Sequence, residues 1–143
     1  MEIRTLEHKK HITYDENKIT NGFLISLYNI NDKFFSPGKE PQQVYLTTIL
    51  PQSVKGPHLH YIRTGYFTCI LGNVKIVLKT ESGYKEFYSG TDYNYLSVEV
   101  PAGIPAVIQN IGSIEAILIN MPNPAWTPNM NDEYSADFSD YFN

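Results

Sequence analysis

Apolar and polar residues alternate with a period of two through much of this chain. In "VKIVLK" (74–79), Val74, Ile76 and Leu78 alternate with Lys75, Val77 and Lys79, as expected of a strand with one face buried. Six further runs are rich in β-branched and aromatic residues and read as strands: "FLISLYN" (23–29), "QVYLTTIL" (43–50), "GYFTCIL" (65–71), "YLSVEV" (95–100), "AVIQNI" (106–111) and "AILIN" (116–120). Turn residues separate them. "LGN" (71–73) is a tight turn, "TESGYKE" (80–86) reads as a hairpin loop with Gly83 at positive φ, and "PAGIP" (101–105) cannot continue a central strand. Helix signals are nearly absent, so the pattern predicts an all-β sandwich or barrel.

The ends carry less pattern. Residues 1–20 are polar and read as an N-terminal arm, with His8 and His11 expected to be solvent-exposed. From about residue 122 the chain is proline-rich and then acidic and aromatic. This tail is expected to be a short helix or turn laid on the barrel by Trp126, Phe138 and Tyr141. No repeat, linker or low-complexity block divides residues 1–143, so one domain is expected.

Composition narrows the partners. A net charge of −4, with eleven Lys and Arg scattered among fifteen acids, leaves no footprint for a nucleic-acid backbone. No apolar signal region opens "MEIRTLEHKKHITYDENK", and no later window has the apolar length of a membrane span, so the chain reads as cytoplasmic with no membrane partner. The single cysteine, Cys69, excludes an internal disulfide and reads as a buried strand thiol.

The chemistry concentrates in "VKGPHLHYIRTGYF" (54–67). On a strand, His58 and His60 would project from the same face. Two adjacent imidazoles can ligate a metal, move protons near neutral pH, or simply sit on a partly wet surface. The spacing alone leaves all three open.

The residues around the pair resemble the cupin superfamily, whose first motif is His-x-His followed by Glu and Gly. Its second is Pro-x-Gly followed by His and Asn. In this chain His58, His60 and Gly72 match the first motif, with Gly65 at the Glu position; Pro101, Gly103 and Asn110 match the second, with Ala106 at the His position. The resemblance implies a cupin fold, a double-stranded β-helix or jelly-roll barrel. A cupin metal needs about three or four side-chain donors, and Gly65 and Ala106 supply none, which points to a metal-free member.

Over most of its length the chain resembles the metal-free cupins of nucleotide-deoxysugar biosynthesis, the sugar 3,4-ketoisomerases and the dTDP-4-dehydrorhamnose 3,5-epimerases. "KGPHLH" is similar to the ketoisomerase segment of a basic residue, Gly, an aromatic and His-x-His. The resemblance implies an isomerase that moves a proton beside the ketone of a nucleotide-linked 4-keto-6-deoxy sugar without a cofactor. Ketoisomerisation comes first and 3- or 3,5-epimerisation second. His58 is then the base and His60 its partner, Tyr45 a candidate acid, and Lys55, Arg63, Tyr66 and Tyr95 candidate substrate contacts. A dTDP-linked sugar and a homodimer are the implied partners. The departures are Asn21 in place of an early arginine, Ala106 in place of a loop histidine, and Ile119 and Asn120 where the epimerases carry a tyrosine. They keep two alternatives open: a non-catalytic sugar-nucleotide-binding cupin and a metal-dependent cupin enzyme.

Overall fold

The computed structural model describes residues 2–143. Twelve strands follow in chain order: β1 (Thr5–Leu6), β2 (His11–Tyr14), β3 (Thr20–Leu24), β4 (Tyr45–Ile49), β5 (Val54–Leu59), β6 (Gly65–Leu71), β7 (Asn73–Thr80), β8 (Gly83–Gly90), β9 (Ser97–Val100), β10 (Ala106–Asn110), β11 (Ala116–Asn120) and β12 (Tyr134–Ser135). No helix occurs among the described residues.

Two five-stranded antiparallel sheets form the body, ordered β1-β9-β6-β11-β4 and β12-β5-β10-β7-β8, and β2 and β3 make a separate hairpin. Apart from the β2–β3 and β7–β8 hairpins, every pairing joins strands that are not consecutive in the chain. This is the jelly roll of the cupins. Between the sheets, Val74, Ile76 and Leu78 meet Cys69, Val98, Ile108 and Leu118. Each fully buried aliphatic side chain here contributes about 1.5–3 kcal/mol. Cys69 is fully buried, and burial pushes its thiol pKa up to about 11.

Four sequence expectations need correction. First, "FLISLYN" leaves the ladder after Leu24, and the chain turns so that Tyr28 packs against Phe35 with ring centroids 5.1 Å apart. Second, "TESGYKE" is mostly strand: the turn is confined to Glu81 and Ser82, and Gly83, at φ 115°, already pairs with Thr80. Third, of the short helix or turn expected in the tail, the turn forms, at residues 139–141, and the helix does not. Instead β12 pairs with β5, and Phe138 is buried on Val77 and Val107, which explains why Val77 is buried on the outward face of β7. Trp126 is half-exposed and does not anchor the tail.

Fourth, His8 is buried, because β1 joins the edge of the first sheet and draws the following residues onto it. Its Nε2 lies 2.6 Å from the Ser97 hydroxyl oxygen. Burial lowers its pKa, opposed by the Ser26 backbone and the Asp32 charge. His11 is exposed, as expected.

Candidate active site

The histidine stretch forms β5 and the loop after it, between β12 on one side and β10 on the other. In an unbroken strand Lys55 and His58, three residues apart, would face opposite ways. The register, however, shifts. Lys55 pairs with Ile108 and His58 with Ala106, so β5 holds one extra residue against β10, and both side chains reach the same cavity. Gly56 sits in this bulge at φ 95°, where an added Cβ would lie 3.0 Å from the Ala106 carbonyl oxygen. The backbone therefore requires glycine there.

The cavity encloses about 220 Å³. Tyr45 and Thr47 enter it from β4, Lys55 and His58 from β5, His60 and Arg63 from the following loop, and Glu133 from the tail; Phe67, Val100, Ala106 and Ile108 form the apolar wall. Five residues singled out in the sequence, Tyr45, Lys55, His58, His60 and Arg63, are thus brought together.

Hydrogen bonds fix several of these groups. An Arg63 guanidinium N–H donates to His60 Nε2 at 2.9 Å, so in neutral His60 the ring proton resides on Nδ1. Burial and then the Arg63 charge lower the His60 pKa; Asp132 and Glu133 oppose them, and His58 adds a smaller lowering effect. Arg63 is itself held by its loop, because the Asp132 carboxylate accepts the backbone N–H groups of Tyr61, Ile62 and Arg63 at 2.9–3.2 Å. Burial alone would raise the Asp132 pKa, but these three bonds outweigh it and hold the carboxyl below its usual value. Glu133, the next residue, places Oε1 3.6 Å from His58 Nδ1 and 3.9 Å from His60 Nε2. The Lys55 ammonium donates to the Thr47 hydroxyl. Across the cavity, Asn120 Nδ2 donates to the Tyr45 hydroxyl oxygen at 2.7 Å.

Tyr66 and Tyr95 lie elsewhere, which corrects their assignment as substrate contacts. Phe67 takes the inward position of β6, so Tyr66 faces the opposite way; it is fully buried against Phe34 and Phe35, and its hydroxyl oxygen accepts the Ser36 N–H at 3.2 Å. Burial and then the nearby Glu99 charge raise its pKa. Tyr95 is buried beside Phe23, with ring centroids 5.7 Å apart, and borders a separate surface hollow with His8.

The donor set does not fit a cupin metal. Gly65 and Ala106 carry no ligand atoms, and among the described residues no group of three His, Cys, Asp or Glu side chains is placed to hold one. A side chain at position 65 would collide with the neighbouring packing, since an added Cβ would lie 2.8 Å from Phe67 Cε2 and 3.3 Å from Asn120 Oδ1. Glu99 cannot substitute, because it is buried and accepts the Ser36 hydroxyl at 2.6 Å, beside Tyr66.

Sequence reasoning missed Glu133, Thr47, Phe67 and Asn120. Thr47 follows from Tyr45 by the strand period of two. Glu133 had no such signal, because it comes from an irregular tail.

The family described as FdtA: WxcM-like, C-terminal matches residues 11–143. No curated protein matches. Among solved structures, a dTDP sugar isomerase from Desulfovibrio desulfuricans is 18% identical over 98% of this chain and 87% of its own, with a TM-score of 0.77. QdtA, a sugar 3,4-ketoisomerase from Thermoanaerobacterium thermosaccharolyticum in complex with TDP, is 16% identical over 98% of this chain and 90% of its own, with a TM-score of 0.69. The capsular polysaccharide assembling protein CapF from Staphylococcus aureus is 26% identical over 68% of this chain and 27% of its own, with a TM-score of 0.60. The two isomerase structures share the jelly roll from end to end, and the family match includes His58, His60, Tyr45 and Glu133. The chain belongs to the FdtA family, WxcM-like, C-terminal.

Proposed function

We propose that this protein isomerises a nucleotide-linked 4-keto-6-deoxy sugar by proton transfer next to the ketone, as a 3,4-ketoisomerase first and a 3- or 3,5-epimerase second. One observation carries the reading: two histidines, a tyrosine hydroxyl and two cations face a single cavity that lacks a metal-ligand set. The family and the isomerase neighbours support it, and the Thermoanaerobacterium enzyme binds TDP and, as a histidine-to-asparagine variant, TDP-4-keto-6-deoxyglucose.

The hydrogen at C3 is acidic because loss of the proton gives an enolate with the C4 carbonyl. His58 takes that proton. Its Nδ1 faces Glu133, which leaves Nε2 to meet the sugar. Electrons from the C3–H bond form a C3–C4 double bond as the C4 carbonyl oxygen takes the Tyr45 proton, giving a 3,4-enediol. In the second half the O3 hydroxyl returns a proton to the Tyr45 phenolate, the C3 carbonyl forms, and C4 takes the proton from His58. The net change moves the ketone from C4 to C3 and consumes nothing. His60, kept neutral by burial and Arg63, polarises a sugar oxygen through Nδ1–H, while Arg63 and Lys55 supply positive charge for the diphosphate.

The test is to incubate the purified protein with dTDP-4-keto-6-deoxyglucose and follow the sugar by NMR. Conversion to the 3-keto isomer supports the reading. Binding with no conversion of this or related 4-keto sugar nucleotides supports the non-catalytic alternative, which the missing histidine at Ala106 keeps in view.

We also infer a homodimer. In the β2–β3 hairpin, Tyr14, Phe23 and Leu24 are all exposed, as are Val44 and Leu46 on and beside the edge strand β4. A two-stranded hairpin has little stability without a surface to pack on. Sedimentation equilibrium should give twice the chain mass of 16.3 kDa. A monomer at micromolar concentration would reject this inference.

A further inference from the structure

We propose that Asn120 is a positioning residue that turns the Tyr45 hydroxyl into a proton donor, an assignment that rests on the isomerase reading. Asn120 and Tyr45 are cross-strand partners on β11 and β4, and Asn120 is almost fully buried. Its amide is oriented by the backbone, because Oδ1 accepts the Tyr66 N–H at 2.9 Å. A backbone N–H can only donate, so the amide cannot flip without setting two donors against each other. Nδ2 must therefore face Tyr45, and it donates to Oη at 2.7 Å.

The consequence is directional. A phenol has one proton to give, and Asn120 occupies an acceptor site on its oxygen while offering that proton no acceptor. The Tyr45 proton is left to point away from Asn120 and is free to be donated into the cavity. When the proton leaves, the same Nδ2–H bond strengthens onto the phenolate, so the interaction grows as charge develops on Oη. Gly65 makes the arrangement possible, since a Cβ there would approach Asn120 Oδ1 to 3.3 Å.

Asn120→Asp is the discriminating change. It preserves shape and the Tyr66 N–H bond but replaces the donor with an acceptor, which turns the Tyr45 proton away from the sugar. The expected result is a fall in kcat of about 100-fold with KM within about 3-fold, the signature of an interaction that stabilises the transition state more than the bound substrate. In a Tyr45→Phe background the same change should cost less than about 2-fold, because Asn120 acts through the missing hydroxyl. A full Asn120→Asp penalty in the Tyr45→Phe background would overturn the proposal.

A second readout needs neither substrate nor folding of the Asp variant. The Asn120 side-chain amide protons should exchange slowly in the wild-type protein, and Tyr45→Phe should shift their NMR resonances and speed their exchange. Resonances unmoved by Tyr45→Phe would overturn the positioning claim. If the wild type turns over no 4-keto sugar nucleotide while this amide signature is present, the isomerase reading fails and the hydrogen-bond geometry stands.

Discussion

Replacing Asp132 with alanine should loosen both the tail and the loop that carries Arg63. Asp132 is 5% exposed, and its carboxylate accepts three backbone N–H groups, from Tyr61, Ile62 and Arg63. Truncation leaves all three without their partner. Tyr61 and Ile62 are exposed, so water can replace part of what is lost, and about 1 kcal/mol for each bond, or about 3 kcal/mol in all, is the reasonable scale. For a domain of this length that corresponds to a fall in Tm of about 10 °C. Urea unfolding followed by tryptophan fluorescence is a suitable assay, because the only tryptophan, Trp126, borders the same hollow as Asp132. Asp132→Asn should cost somewhat less, since one oxygen remains to accept. The effect also depends on pH: a carboxyl held below its usual value stabilises the fold above its unfolded pKa of about 3.9, and that contribution is lost as pH falls through the lowered value. The Asp132→Ala variant should lack this acid-sensitive component. A loss of stability below about 1 kcal/mol would refute the view that Asp132 latches the tail to the active-site loop.

Other expectations follow from the same contacts. Arg63→Gln removes the second-largest influence lowering the His60 pKa, so that pKa should rise and the acid limb of kcat/KM should move to higher pH; an unmoved limb would place His60 outside the pH-determining groups. His8 and His60 both have lowered values in the fold, so stability should be greatest above the unfolded histidine pKa of about 6.5 and decline below it, with His8→Gln flattening the decline measured by urea midpoints between pH 7.5 and about 5. Gly65→Ala should push the Phe67 ring into the cavity and raise KM at least about 3-fold, and titration calorimetry with TDP will show whether affinity falls with it.

The sequence made the barrel legible where one physical signal dominated. Val74, Ile76 and Leu78 announce their strand because every second residue is apolar, and all three are fully buried. Strand β8 was hidden: "GYKEFYSG" packs against the tail on one side of the sheet, so aromatic and charged residues mix without a clean period. At the site, Lys55, His58, His60 and Arg63 were legible because one short stretch carries them all. The bulge that turns Lys55 toward His58 was not, since it depends on pairing with β10. A one-residue register choice separates Tyr66 from Phe67, and with eleven tyrosines in the chain residue type gave no help. Asp132 and Glu133 were invisible as site residues because the tail reaches the loop only through tertiary packing, with Phe138 as its buried anchor.

Whether His58 removes a proton from the carbon beside a sugar ketone can be read from the fate of that proton in D2O. The protein would be incubated in D2O with dTDP-4-keto-6-deoxyglucose and the sugar protons followed by NMR. The C3 proton signal should disappear with the wild type, by deuterium exchange into the 4-keto sugar or by conversion to the 3-keto isomer, and at least about 100-fold more slowly with folded His58→Asn, the scale of a lost general base. Disappearance at the same rate in His58→Asn, or an unchanged C3 proton signal with the wild type despite bound nucleotide sugar, would contradict that role.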